Sequence, residues 1–86
     1  MTEVKVGIST SVNMIFGEEA TGIYKRASKL TPDVIDEIIN TGHTYHSEFN
    51  SHEEAEAFVL GVRLGLGFND AIRISGKDYE KIEKRK

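Results

Sequence analysis

Three histidines and a glutamate crowd one short stretch of the chain: His43, His46, Glu48 and His52. Imidazole and carboxylate are the groups of general acid–base work and of metal ligation. A metal site needs its ligands to converge on one point. In an extended chain His46 and Glu48 share a face, whereas His43 points the other way. The spacing fits no compact ligand motif, so the cluster reads as a polar strand running into a helix cap, with no metal and no cofactor expected. Paired carboxylates are plentiful, as in Asp36–Glu37 and Glu53–Glu54. Adjacent helical residues do not face one another, so neither pair makes an acid–base dyad. G-x-S-x-G, H-E-x-x-H and P-loop patterns do not occur. Gly61, Gly65 and Gly67 accompany the end of a helix, whereas phosphate-binding glycines open one. The expectation is a protein without enzymatic activity.

The carboxylates are informative in another way. Asp33, Asp36, Glu37, Glu48, Glu53, Glu54 and Glu56 occupy a stretch between Lys29 and Arg63 that holds no Lys or Arg. Both flanks are net basic, and the total charge of −3 conceals this segregation. A dense field of one sign repels nucleic acid and attracts basic surfaces. Helix capping accounts for Asp33, Glu53, Glu54 and Glu56, because carboxylates stabilise the positive end of a helix dipole. It does not account for the missing bases. The seven acids are therefore the candidate protein-binding residues.

The elements that position these residues follow from periodicity. Val4, Val6 and Ile8 alternate with polar residues as in a half-buried strand. Ser9-Thr10-Ser11 reads as a loop, after which Val12, Met14 and Phe16 continue an extended segment. Ala20, Ile23, Tyr24, Ala27 and Leu30 recur at helical spacing, with Gly22 weakening that helix and leaving a β-hairpin as the alternative. Thr31-Pro32-Asp33 carries a cap, a first-turn proline and a dipole-facing acid. Val34, Ile35, Ile38 and Ile39 form the stripe of the helix that follows, and Gly42 is expected to end it with positive φ. Thr44 to Phe49 reads as a strand.

Ser51 and Glu54 match a capping box. Beyond them Ala55, Phe58, Val59, Val62 and Leu66 recur on one helical face, and Gly67 closes the helix. Phe68 to Ser75 returns as a strand with Ile72 and Ile74 inward. Strand, helix and strand over residues 44–75 suggest a βαβ-like unit. The whole predicts one α+β domain over residues 1–76. It is a small two-layer structure in β-α-α-β-α-β order, with helices packed on one face of a short sheet. Residues 77–86 read as a charged C-terminal tail.

Eighty-six residues bury a thin core, and without cysteine no disulfide or thiolate site reinforces it. Homo-oligomerisation is the remaining route to more buried area, so a dimer is expected. Gly61 and Gly65, one turn apart, allow close approach and mark its interface. With no basic leader followed by an apolar stretch and no long apolar run, a cytoplasmic protein without membrane contact is expected.

The stretch FNSHEEAEAFVLGVRLGLGFND, with its capped helix and terminal glycine, resembles a segment of small phage and bacterial proteins over roughly residues 44–70. The short, cysteine-free chain resembles bacteriophage early proteins of the host-takeover kind. Some of these are dimeric DNA mimics that occupy the DNA-binding surface of a host protein. The resemblance implies a homodimeric inhibitor that acts in the bacterial host cytoplasm. It would bind a basic, nucleic-acid-binding host protein through its acidic surface, with no direct nucleic-acid contact. Two protomers would double the carboxylates available to imitate a duplex. The alternative is a nucleotide-sequestering protein with a pocket at the subunit boundary, where Lys25, Arg26, Arg63 and Arg73 face the phosphates.

Overall fold

A computed structural model describes residues 9–86, so the expected strand at Val4, Val6 and Ile8 lies outside the described residues. The elements run β1 (Thr10–Phe16), α1 (Glu18–Arg26), α2 (Pro32–Thr41), β2 (His43–Phe49), α3 (His52–Leu66), β3 (Ala71–Ile74) and α4 (Gly76–Arg85). The class is α+β, and the strand and helix order is the expected one with a fourth helix added. Thr10 and Ser11 belong to β1, not to a loop before it.

The three strands lie in the order β2-β1-β3, and both neighbours run antiparallel to β1. β2 and β3 therefore point the same way with β1 between them, and α3 makes the crossover. In β1 the four consecutive residues Val12, Asn13, Met14 and Ile15 are all buried. Because side chains alternate across a strand, this run requires cover on both faces. Val12 and Met14 pack with Ala55 and Ala71 against Phe58, Val59 and Val62 of α3. Ile15 packs on the opposite side with Ala20, Ile35, Ile38, Ile74 and Ile82, drawn from α1, α2, β3 and α4. The expected two-layer arrangement with helices on one face is thus corrected: the sheet is sandwiched.

The residues expected as a charged tail form α4. Its Ile82 is completely buried and its Tyr79 packs against the same cluster. Two apolar residues three apart suffice, because they share one face of a helix. Ser75 caps α4 by accepting a hydrogen bond from the Asp78 amide at 3.1 Å. The Tyr24 hydroxyl donates to Asp78 Oδ2 at 2.6 Å and ties α4 to α1. That phenol is pushed up to about 12, first by burial and then by the Asp78 hydrogen bond and charge. The helix–hairpin alternative at residues 18–30 resolves as helix, with Glu18 and Glu19 in its first turn and Lys25 and Arg26 in its last.

Thr31 Oγ1 accepts from the Val34 amide and Ser51 Oγ from the Glu54 amide, but the Glu54 carboxylate does not return a bond to the Ser51 amide, so the expected capping box is half formed. Gly67 closes α3 at φ 107°, a conformation that favours glycine. Gly42 departs from expectation: its φ of −157° is ordinary extended backbone. Glycine is needed there for room, since a Cβ would collide with the Phe16 carbonyl oxygen and the Ala20 Cβ.

Candidate functional site

The fold divides the seven carboxylates among three elements. Asp33, Asp36 and Glu37 sit on α2, Glu48 on β2, and Glu53, Glu54 and Glu56 at the entry of α3. Because α2 and α3 cover opposite faces of the sheet, the block that is continuous in sequence is not one patch in space.

Three of the seven are engaged inside the chain. Arg85 donates to Asp36 through Nε at 2.9 Å and Nη2 at 3.0 Å. This fork holds the Asp36 carboxyl below its usual range and raises the Arg85 guanidinium. Arg73 donates from Nη1 to Glu56 at 2.9 Å and from Nη2 to the Ser11 carbonyl at 3.0 Å. Glu48 accepts from Ser9 Oγ at 2.7 Å and Ser11 Oγ at 3.3 Å, and lies 3.1 Å from His46 Nε2. The Ser9 hydrogen bond first, and then His46, depress its pKa. Among the described residues Asp33, Glu37, Glu53 and Glu54 make no side-chain hydrogen bond or ion pair. The bases that flank the acidic block in sequence thus fold back to neutralise part of it.

His46 and Glu48 share a face of β2, and His43 lies on the other, opposite Phe16. His46 Nδ1 lies 2.6 Å from Asn13 Oδ1, and the ring packs 5.4 Å from that of Tyr79. Both ring nitrogens therefore have a side-chain oxygen within hydrogen-bond distance. His52 stands apart on α3, its Nε2 3.5 Å from Glu56. The three histidines do not converge, and no metal-binding group of three His, Asp or Glu occurs among the described residues.

Asn13 is the polar residue that sequence reasoning missed. It is only 6% exposed, and as an amide inside an apolar strand run it carried the signal of a buried polar anchor.

The outer face of α3 exposes large apolar side chains. Leu60 is 53% exposed, Leu64 66%, Leu66 53% and Phe68, just beyond the helix, 48%. Leu66 therefore does not join the inward stripe of Ala55, Phe58, Val59 and Val62. Below the last turn of α3, Arg63 instead donates to the Ala71 carbonyl at 3.0 Å and the Phe68 carbonyl at 3.1 Å, with its guanidinium 4.6 Å from the Phe68 ring. At Gly61 and Gly65 an added Cβ would meet nothing within 4 Å, so the small residues seat no other part of the described chain.

The four basic residues proposed to face phosphates do not assemble. Arg63 and Arg73 are held by the contacts above. Lys25 and Arg26 line a cleft of about 450 Å³ between α1 and Asn69, together with the carboxylates Glu18 and Glu19. Thr21, which also lines that cleft, has a buried hydroxyl without a hydrogen-bond partner among the described residues. No helix among the described residues is long and apolar enough to cross a membrane.

Comparison with protein-family models, with curated proteins and with solved structures gave no match to this chain.

Proposed function

We propose that the protein acts by binding and not by catalysis, as a homodimeric inhibitor of a basic, nucleic-acid-binding protein in a bacterial host cytoplasm. The observation that carries this reading is the set of carboxylates without side-chain partners among the described residues: Asp33 and Glu37 on α2, Glu53 and Glu54 on α3. Asp33 and Glu37 stand one helical turn apart, so their side chains leave the helix about 5–6 Å from one another. Phosphates along one DNA strand repeat at about 3.4 Å per charge, so one protomer is a sparse DNA mimic. A dimer doubles the carboxylates presented. The engagement of both His46 nitrogens supports a non-catalytic role.

A second reading keeps the Lys25–Arg26 cleft as a pocket for a nucleotide or other phosphorylated small molecule. The unpartnered Thr21 hydroxyl favours it, since a buried polar group without a partner calls for an explanation.

One experiment separates the two. Asp33, Glu37, Glu53 and Glu54 are changed together to Lys, leaving the ion-paired Asp36 and Glu56 in place. The mimic reading expects loss of capture of DNA-binding proteins from bacterial lysate. It also expects duplex DNA to compete with the wild type for those proteins, and capture to weaken steeply with salt. Retention of capture by the reversed protein, with nucleotide binding abolished by Lys25→Glu and Arg26→Glu, would replace it with the pocket reading.

A further inference from the structure

We infer that the cleft beside α1 takes a small zwitterion of the amino-acid kind, its ammonium held at Glu18 and Glu19 and its carboxylate at Arg26 and Lys25. The inference rests on the pocket reading of this cleft and replaces the phosphorylated ligand with one that the lining charges fit.

The helix builds the site by its own periodicity. At about 3.6 residues per turn, Glu18, Glu19, Gly22, Lys25 and Arg26 fall on one face of α1 and Ala20, Ile23 and Tyr24 on the other. The second set packs into the core, and Thr21 stands at the border, only 1% exposed. The first set lines the cleft together with Thr21 and with Asn69, which comes from the turn between α3 and β3. That turn is pinned to the start of α1, since the Gly17 amide donates to the Asp70 carbonyl at 2.8 Å. The Asp70 carboxylate lies over Gly67 and does not line the cleft.

Opposite charges share this cleft without meeting. Among the described residues Glu18, Glu19, Lys25 and Arg26 form no ion pair with one another. The helix dipole explains acids at the start of α1 and bases at its end. It does not explain why Arg26 folds back along the helix. A Cβ at Gly22 would stand 3.0 Å from Arg26 Nη1, so the guanidinium lies over the glycine, one turn nearer the acids. Glycine weakens a helix interior relative to alanine, and here it leaves the room that the guanidinium occupies.

Glu18 and Glu19 precede Gly22 by one turn or slightly less, which sets the two poles about 4.5–6 Å apart along the axis. An amino acid carries its ammonium and carboxylate on one carbon. With a charge-assisted hydrogen bond of about 2.7–2.9 Å at each end, it spans that gap. A phosphate would meet like charge at Glu18 and Glu19, and a lone cation would meet it at Lys25 and Arg26. A molecule of both signs satisfies all four.

Thr21 supplies the independent mark of a ligand. Its hydroxyl is buried and has no hydrogen-bond partner among the described residues. Such a group costs stability until something completes it. The polar atoms of a ligand seated between the two poles supply the missing bond. The cleft volume of about 450 Å³ lies within the roughly 300–1,000 Å³ of small-molecule sites.

Nuclear magnetic resonance of the intact chain, titrated with glycylglycine and with each free amino acid, reads both affinity and place. At least one should bind with a Kd of about 0.1–10 mM, since exposed ion pairs are individually weak. Binding should shift the amides of Thr21, Gly22 and Asn69. Acetylating the ligand's amine or amidating its carboxylate should each weaken binding about tenfold. The double variant Glu18→Gln, Glu19→Gln should lose the preference for a free amine, and Lys25→Gln, Arg26→Gln the preference for a free carboxylate. Thr21→Val should weaken binding about threefold or more without lowering the melting temperature of the unliganded protein, because the hydroxyl it removes has no partner.

Inorganic phosphate or adenosine diphosphate shifting those amides where no zwitterion does would overturn the inference and leave the pocket reading standing. No shift from any of these probes would overturn both. Zwitterion binding undiminished by Thr21→Val, or equally tight for the acetylated and amidated ligands, would also overturn the inference. Reversal of Asp33, Glu37, Glu53 and Glu54 to Lys should leave the titration unchanged, so failure of the acidic-surface reading would be seen separately.

Discussion

Helices α3 and α4 lie on opposite faces of one sheet, and the more apolar of the two is the less buried. α3 carries Phe58, Val59, Leu60, Val62, Leu64 and Leu66, yet Ala55 is its one fully buried residue. α4 is mostly charged, yet Ile82 has no exposed surface and sits among Ile15, Ile35, Ile38 and Ile74. Burial follows placement of apolar groups on a face, not their number. In α4, Tyr79 and Ile82 share one face, and the charges on the rest anchor the helix. Arg85 reaches Asp36, and the Thr44 hydroxyl donates to Glu83 at 2.5 Å. In α3 the apolar residues continue around the helix, so one set meets the sheet and another is left outside. α4 therefore completes the core, and α3 carries more apolar surface than the sheet buries.

The contrast is broken most severely at Ile82. Ile82→Ala should cost about 2–5 kcal/mol, as deletions in closed cores do. Leu64→Ala should stay within about 0.5 kcal/mol, since that side chain is mostly exposed. Urea unfolding of the two variants side by side is the check. Equal losses would mean that α4 is no better seated than the outer face of α3.

Two glycines sharpen the same comparison with a smaller effect. Gly42→Ala should destabilise by about 1–3 kcal/mol, since the methyl group collides with the Phe16 carbonyl and Ala20. Gly61→Ala should stabilise dilute protein by about 0.5–1 kcal/mol, because alanine is the better helix former and the space is open. Thermal melts at low concentration distinguish the signs.

The smallest effect lies where α4 is tied to α1. The Tyr24 phenol is held up to about 12 by burial and by Asp78. A folded-state pKa above the unfolded value of about 10 means that the neutral form stabilises the fold. That contribution is complete below about pH 10 and is lost as pH rises towards about 12. Tyr24→Phe should therefore flatten the fall of stability across this alkaline window. A variant with the same alkaline slope as the wild type would show that Tyr24 does not report the α1–α4 contact.

Local features were legible without the fold. Thr31-Pro32-Asp33 starts α2, Ser51 caps α3 and Gly67 ends it, because capping needs groups only three or four residues apart. The shared face of His46 and Glu48 followed from strand alternation alone. Gly42 shows the limit of such reasoning: its position at a helix end was right, but the reason for glycine is the close approach of Phe16 and Ala20. The cover on both sides of β1 was also latent in Val12, Met14 and Ile15, but it emerged only once α3 and α4 were seen on opposite faces.

By itself, then, the chain determined the α+β class, the order of the elements up to β3 and the positions of the acids. The structure starts β1 at Thr10, ends α1 at Arg26 and shortens the expected Phe68–Ser75 strand to Ala71–Ile74. Tertiary structure alone decided which acids remain free. Arg85 and Asp36 are 49 residues apart, and Arg73 and Glu56 are 17 apart. The same is true of α4, whose two apolar residues gain meaning only against Ile15 and Ile38, and of α3, whose leucines stay outside because the sheet has one face to offer it. Hydrophobic burial and ion pairing act through space, and the path of the chain sets which distant residues come within their reach.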